Sequence, residues 1–404
     1  MLAYTPPPTL AGEIRPAPSR GKPITMNADR FAQIRPYNDA EVAGVITRLL
    51  ANTELLDAVA RLRLPRAAGM FGPWMRPLVR MALARQLRGV RDVRSFQRIV
   101  ERYMRVMVES RTTGFSVSGL ERIDAARACL FVGNHRDIAL DPSFISYALF
   151  SSGRDTVRVA IGDNLLTKDY VSDLMRLNKS FIVRRSAKGP RQMLAAYQEL
   201  SGYISHSLLE ERQSIWIAQR EGRAKDGWDR TEPAIIKMLA IAKPRDQGFG
   251  EFIASLRIVP VSISYEWDPC DAIKAHELCE RATHGSYRKG EHEDVNSIAH
   301  SITAPKGRVH VSFGEALGAD LDTPEAVARA IDRQVLALYH VQPTNLCAYR
   351  MAEGGLPPDL AHLAGTADSV EREFRMRLDA LPEAERPFMI AMYANPLRNR
   401  AALA

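Results

Sequence analysis

Cysteine is scarce. The 404 residues hold four, Cys129, Cys270, Cys279 and Cys347, too few and too scattered for a disulfide framework or a zinc cluster, so a reducing compartment is the default. Long apolar runs are missing as well: none approaches the ~18 residues of a membrane span, and contact with a bilayer is expected to be peripheral. The N-terminus lacks the basic, apolar, small-residue order of a signal peptide. A cytoplasmic location, peripheral on the inner face of the cell membrane, is therefore expected. There is no internal repeat, and no compositional skew of a disordered, collagen-like or coiled-coil chain. At 46% hydrophobic and 25% charged residues the chain can bury a sizeable core. Its length allows two or three domains, or one large domain with appendages.

What is abundant is arginine, in one place. The formal net charge is +8. Residues 61–111 hold thirteen arginines against Asp92, Glu101 and Glu109, which exceeds the whole net charge. Such regional basicity suits an anionic surface: phospholipid, nucleic acid or a polyanionic carrier. Base-stacking aromatics are sparse there (Phe71, Trp74, Phe96, Tyr103), so nucleic acid is the poorer partner.

The chain divides by texture. Residues 1–38 read as a flexible, proline-rich tail, with seven prolines in the first 36 positions. Residues 39–120 read as helical and arginine-rich. A helix is expected over about 39–60, and another from Pro77 to about Arg88, stopped by Gly89. A third is expected over 92–109, capped by Asp92, with Val93, Phe96, Val100, Tyr103 and Met107 on one stripe. That stripe, flanked by Arg94, Arg98, Arg102 and Arg105, has the pattern of an interfacial helix, and equally that of a helix packed on a core. Over 121–320 short apolar runs (Cys129–Val132, Val157–Ile161, Phe181–Val183, Ile215–Ala218, Ile258–Ile263, Val309–Phe313) alternate with helical patterns. Alternation of that kind predicts an α/β fold with a central mixed sheet flanked by helices. Residues 321–404 read as helical again, so the sheet carries helical extensions at both ends.

Four segments carry chemistry. Leu130–Val132 runs into Gly133-Asn134-His135-Arg136-Asp137 and then Asp141-Pro142. A histidine at a strand end with a carboxylate a few residues on suits a general base oriented by an acid. Asp141 also reads as a helix N-cap before Pro142, and His135 could merely close a loop. The second segment, Phe181–Val183, ends in Arg184 and Arg185, whose guanidinium forks suit a phosphate dianion. The third, Ile215–Ala218, opens into Gln219-Arg220-Glu221-Gly222-Arg223-Ala224-Lys225. In the fourth, Pro260 interrupts an apolar strand, which predicts an edge or a bulge beside a site.

In this order the four segments resemble the sequence blocks of the glycerolipid acyltransferase superfamily, over roughly residues 120–315. Gly162-Asp163-Asn164-Leu165, Phe181–Arg185 and Lys188-Gly189 are similar to its glycerol-3-phosphate acyltransferase branch. The resemblance implies transfer of a fatty acyl group from acyl-CoA or acyl carrier protein to glycerol 3-phosphate or a lysophospholipid such as lysophosphatidate. It implies His135 as base and Asp141 as its orienting partner, with Asp137 the nearer alternative. Arg136, Arg184, Arg185, Glu221, Gly222 and Arg223 are the implied substrate-binding residues. No metal or bound cofactor is implied. Oxyanion donors would come from the backbone around Gly222 or from the neighbours of Pro260.

Two spacings depart from the family. Its aspartate follows the histidine after four residues, where this chain has Leu140, and Asp141 comes one later. On a regular helix that rotates the carboxylate by about 100°, so the intervening chain must be a loop. Glu221-Gly222-Arg223 is one residue shorter than the family's Glu-Gly-any-Arg. Two rival readings remain. His135-Arg136-Asp137 has the look of a kinase catalytic loop, but no glycine-rich loop precedes it, no Asp-Phe-Gly follows, and Pro142 stands where asparagine is needed. The other is a non-enzymatic peripheral protein binding anionic surfaces through the 61–111 block.

Overall fold

The computed structural model describes residues 29–290 and 293–402. Most of the expected N-terminal tail, residues 1–28, lies outside that range. Its last part is packed rather than loose: Phe31 and Ile34 are buried, and the Ile34 carbonyl accepts from Ile182 N at 2.8 Å. Two apolar side chains among charged ones were enough to seat this stretch on the sheet edge.

Helices α1 (Asp39–Ala51), α2 (Thr53–Arg63), α3 (Pro65–Phe71), α4 (Arg76–Leu87) and α5 (Val93–Arg111) come first. The single helix expected over 39–60 is broken at Asn52, whose side chain accepts from Leu55 N at 2.9 Å and starts a second helix. Asp92 caps α5 as its sequence predicts, accepting from Ser95 N at 2.6 Å. Phe96, Ile99 and Met107 of α5 are buried against the body. Val93 and Val100 are partly buried and Tyr103 is 48% exposed, so most of the apolar stripe packs on the core, which favours that reading over the interfacial one.

The sheet is seven-stranded and mixed. Its strands are β1 (Gly114–Ser118), β2 (Leu130–Gly133), β3 (Arg158–Gly162), β4 (Ser180–Val183), β5 (Ile215–Ala218), β6 (Ile258–Tyr265) and β7 (Arg308–Phe313). Their spatial order is β1-β7-β6-β2-β5-β3-β4, parallel throughout except where β6 meets β7. Strands β2 to β6 thus end on one edge, the usual place for a site in a parallel sheet. Pro260 is not on an edge: it sits in β6, between β2 and β7. It is tolerated because its carbonyl accepts from Gly314 N at 2.8 Å, past the last β6–β7 pair at Val261 and Phe313, where no ladder donor is missed. Its neighbours Val259 and Val261 are paired to β2, so they are not the oxyanion donors expected there.

Helices α6 (Leu140–Ser151), α7 (Asp169–Leu177), α8 (Pro190–Leu209), α9 (Pro233–Leu239), α10 (Phe249–Ser255), α11 (Asp271–His284) and α12 (Glu293–Thr303) cover the faces. One face packs Leu130, Val132, Ile215, Ile217 and Ile258 against α8 to α10. The other packs Phe131, Trp216, Val259, Val261 and Ile263 against α6. The odd–even split follows from strand alternation. Helices α13 (Pro324–Ala337), α14 (Pro343–Glu353), α15 (Ala364–Asp379) and α16 (Arg386–Ala401) complete the chain. Trp267, Phe374, Met389 and Tyr393 lie in a core shared by α11 and α14 to α16.

Candidate active site

Strand β2 delivers its last residue into the loop 134–139, and α6 begins at Leu140. The loop is held from below. Asn134, buried, accepts from Ile263 N at 2.8 Å and donates to Ile263 O at 3.0 Å, extending the β2–β6 seam by a side chain. His135 follows, its carbonyl accepting from Ala224 N at 2.8 Å.

The structure pairs His135 with Asp141. Nδ1 lies 2.8 Å from Asp141 Oδ2, and that same oxygen accepts from Arg136 N at 2.6 Å and Asp137 N at 2.9 Å. Tyr265 Oη donates to the other oxygen, Oδ1, at 2.8 Å. Burial, and then the Asp141 charge, hold the Tyr265 phenol well above its usual range, so it stays a donor. Asp141 is wholly buried, with 0% of its surface exposed, yet four donors surround it. A buried carboxylate needs that many. Because a carboxylate only accepts, Nδ1 carries the proton and Nε2 keeps its lone pair. Among the described residues Nε2 has no hydrogen-bond partner, and His135 lines the cavity beside Trp216, ring centroids 5.5 Å apart.

Asp141 is not the N-cap. It sits in the first turn of α6, and Asp137 does the capping, accepting at Oδ1 from Ala139 N at 3.0 Å and Leu140 N at 2.8 Å. Burial, then the Asp141 charge, push the Asp137 carboxyl up, which suits a capping group and not a base's ionised partner. The one-residue departure in spacing is absorbed because 134–139 is a loop.

Arg136 points elsewhere. Its Nη2 is 2.5 Å from Asp229 Oδ2, Nη1 donates to Ala224 O at 3.2 Å, and it does not line the cavity. The expectation that it binds substrate is corrected: it fastens the His135 loop to the loop after β5. Helices α11 and α16 brace the same two loops. Lys274 Nζ donates to Arg136 O at 2.7 Å, Asn395 Nδ2 to Asp226 O at 2.6 Å and Asn399 Nδ2 to Asp229 O at 3.0 Å.

The other expected residues converge on the cavity, which has a volume of about 750 Å³. Arg184 and Arg185 follow β4, and Arg220 to Arg223 follow β5. Arg184 is partly engaged, with Nη2 2.8 Å from Gln33 Oε1 and Nε 3.2 Å from Glu199. Arg185 crosses Gly162 so closely that a Cβ there would lie 2.9 Å from Arg185 Cδ. Its Nε is 3.6 Å from Glu221. Gly222, at φ +75°, makes the left-handed turn that returns the chain inward. As a result Glu221 is exposed and Arg223 is 8% exposed. Arg223 Nη1 and Arg220 Nε are buried and, among the described residues, have no hydrogen-bond partner. Guanidinium donors left free on a cavity wall can receive an anion, although Arg223 Nη2 also lies 3.8 Å from Asp294 Oδ1.

Arg220 is a cavity residue that sequence reasoning passed over, although it lies within a segment already singled out. Tyr265, Asn134 and Asp229 were also missed. The last two mean nothing until the strands are side by side, and Tyr265 looks like one more strand residue. Among the described residues no cluster of metal-ligating side chains occurs.

Comparisons with known proteins bear on residues 114–264, which match the family model described as Acyltransferase. A solved structure, the 1-acyl-sn-glycerophosphate (LPA) acyltransferase PlsC from Thermotoga maritima, is similar over 59% of this chain and 76% of that chain, at 17% identity and a TM-score of 0.35. No curated protein matches. The stretch that matches the Acyltransferase family model, residues 114–264, holds His135, Asp141, Arg184, Arg185, Arg220 and Arg223.

Proposed function

We propose that the protein transfers a fatty acyl group from an acyl thioester, acyl-CoA or acyl carrier protein, to the hydroxyl of a glycerol-phosphate-type acceptor. One observation carries this reading: a histidine with a free Nε2 opens onto an apolar cavity whose rim holds guanidinium donors without partners. His135 Nε2 takes the proton of the acceptor hydroxyl as its oxygen attacks the thioester carbonyl. The tetrahedral intermediate collapses with cleavage of the C–S bond, and the proton passes from Nε2 to the departing thiolate. Asp141 fixes the tautomer and stabilises the imidazolium meanwhile. The acceptor supplies the nucleophile, so no serine or cysteine is required. Arg185, Arg220 and Arg223 hold the phosphate and so orient the hydroxyl.

The experiment is acyl transfer from a labelled thioester to a panel of acceptors. Within it, Arg223→Ala should raise KM for a phosphorylated acceptor by about tenfold or more and leave KM for the donor nearly unchanged, since phosphate binding is lost. Arg223→Lys should recover part of it, because a point charge lacks the fork. Equal effects on both substrates would mean that Arg223 is structural.

The membrane contact is assigned to α3 and α4. Met75 and Val79 face inward onto Leu56 and Ala60 of α2, while Met70, Phe71, Trp74, Leu78 and Met81 are exposed, Trp74 by 87%. Residues 61–88 carry seven arginines and no acidic residue. An apolar ridge rimmed by arginine suits the interface of an anionic leaflet, each basic residue adding about 1 kcal/mol, screened by salt. Among the described residues no helix is long and apolar enough to cross a membrane. The protein should co-sediment with anionic liposomes, bind neutral ones weakly and be released by high salt. Trp74→Glu with Leu78→Glu should abolish sedimentation and spare turnover of a short-chain, water-soluble donor. Sedimentation equal to that of the wild type would rule out this ridge as the anchor.

A further inference from the structure

The sheet is split beside the site. β3 and β5 pair only at Arg158 with Ile215 and at Val159 with Trp216, and beyond these the two strands part. The cavity passes through the gap, lined by consecutive residues of each strand, Val159 to Gly162 and Trp216 to Ala218. Consecutive strand residues face opposite sides, so the cavity has an apolar arm on each face. Val159 and Trp216 look toward the α6 side, where Met104, Tyr147 and Phe150 form the wall. Ala160 and Ile217 look toward the α8 side, where Ala196, Leu200, Ile204 and Met238 form it. Gly162, Arg185, Ala218 and Arg220 stand where β3, β4 and β5 end, on the edge that carries His135.

A donor chain lying along one face of the sheet would occupy one arm. Glycerol 3-phosphate brings no chain of its own, and with it bound the second arm would face water with apolar walls. We infer that the two arms seat two acyl chains, the donor's and one already esterified to the acceptor, so that the acceptor is a phosphate-bearing lysolipid of the monoacylglycerol-phosphate type. The inference rests on the acyl-transfer reading. The phosphate of such an acceptor lies among the arginines at the strand ends, its chain descends one face, and the thioester's chain descends the other. The reacting hydroxyl and carbonyl then meet at the split, beside His135.

The test compares glycerol 3-phosphate with lysophosphatidates of six to sixteen chain carbons, using purified full-length protein and donors of varied length. The short lysophosphatidates stay monomeric in water, so their preference reports the protein and not a micelle. The kcat/KM for hexanoyl lysophosphatidate should exceed that for glycerol 3-phosphate by about 10²-fold or more, since each methylene leaving water tightens binding severalfold. Ala196→Phe and Ser146→Phe, each filling one arm, should act on different substrates. One should shorten the preferred donor chain and the other the preferred acceptor chain. Equal or better use of glycerol 3-phosphate, or both substitutions acting on the donor alone, would overturn the inference and leave acyl transfer standing. Transfer to neither acceptor by folded protein would remove the acyl-transfer reading itself. The acceptor comparison needs no substitution, so it decides the matter even where a filled arm fails to fold.

Discussion

His135→Ala should lower acyl transfer by about 10²–10⁴-fold, the usual cost of removing a general base, with little change in melting temperature. The asymmetry follows from what the ring touches. Among the described residues it makes one hydrogen bond, to Asp141 Oδ2, and that oxygen keeps two backbone N–H donors when the ring is gone. The other oxygen keeps Tyr265, so no buried charge is orphaned. Asp141→Asn should lower turnover within the same range. An amide can offer Nδ1 a donor in place of an acceptor, which favours the tautomer with its lone pair turned away from substrate. Near-normal kcat in a folded His135→Ala protein would remove the histidine from the chemistry. Lost stability with unchanged activity per folded molecule would make it a loop-closing residue.

Arg136→Ala should be the reverse case, costing stability of about 3–5 kcal/mol, as expected when one member of a buried ion pair is deleted and the other stays. Asp229 would be left in the interior with Asn134 Nδ2, at 3.4 Å, as its remaining side-chain donor. The loops that carry His135 and Arg223 would lose a side-chain fastener and keep the bond from Ala224 N to His135 O. Arg136→Met with Asp229→Leu should regain much of the loss, since a paired apolar replacement removes both charges together. Thermal melting of the single and double variants measures this. If Arg136→Ala melts like the wild type and instead raises KM for the acceptor, the arginine binds substrate as its place in the motif suggests.

These two residues show where sequence reasoning was sufficient and where it stopped. The alternation of apolar strand runs with helical patterns was enough for a mixed α/β sheet, and six of the strands lie close to where their apolar runs place them. β1 was missed because Gly114-Phe115-Ser116-Val117-Ser118 has two apolar residues and becomes a strand only by pairing with β7. Helices α10, α11 and α12 were missed too, and within 321–404, read as helical, α16 did not stand out because Pro396 breaks its pattern and its burial is nearly uniform, which erases the helical period. Proximity in the chain could bring His135 and Asp141 together but could not choose between Asp141 and Asp137. That choice depends on Tyr265 and on backbone N–H directions, both tertiary facts. The orientation of Arg136 is likewise set by Asp229, 93 residues away. On α5 the periodicity was right, and which partner its apolar stripe meets was settled by packing.

The central claim is acyl transfer to a phosphate-bearing alcohol by His135. Its most direct test is a single-turnover assay of purified protein with a radiolabelled acyl thioester and lysophosphatidate or glycerol 3-phosphate, separating the lipid products. The account predicts a labelled ester on the acceptor and a stoichiometric free thiol, both absent with His135→Ala. Release of free fatty acid without any acylated acceptor, or an equal yield of ester from the folded His135→Ala protein, would contradict it.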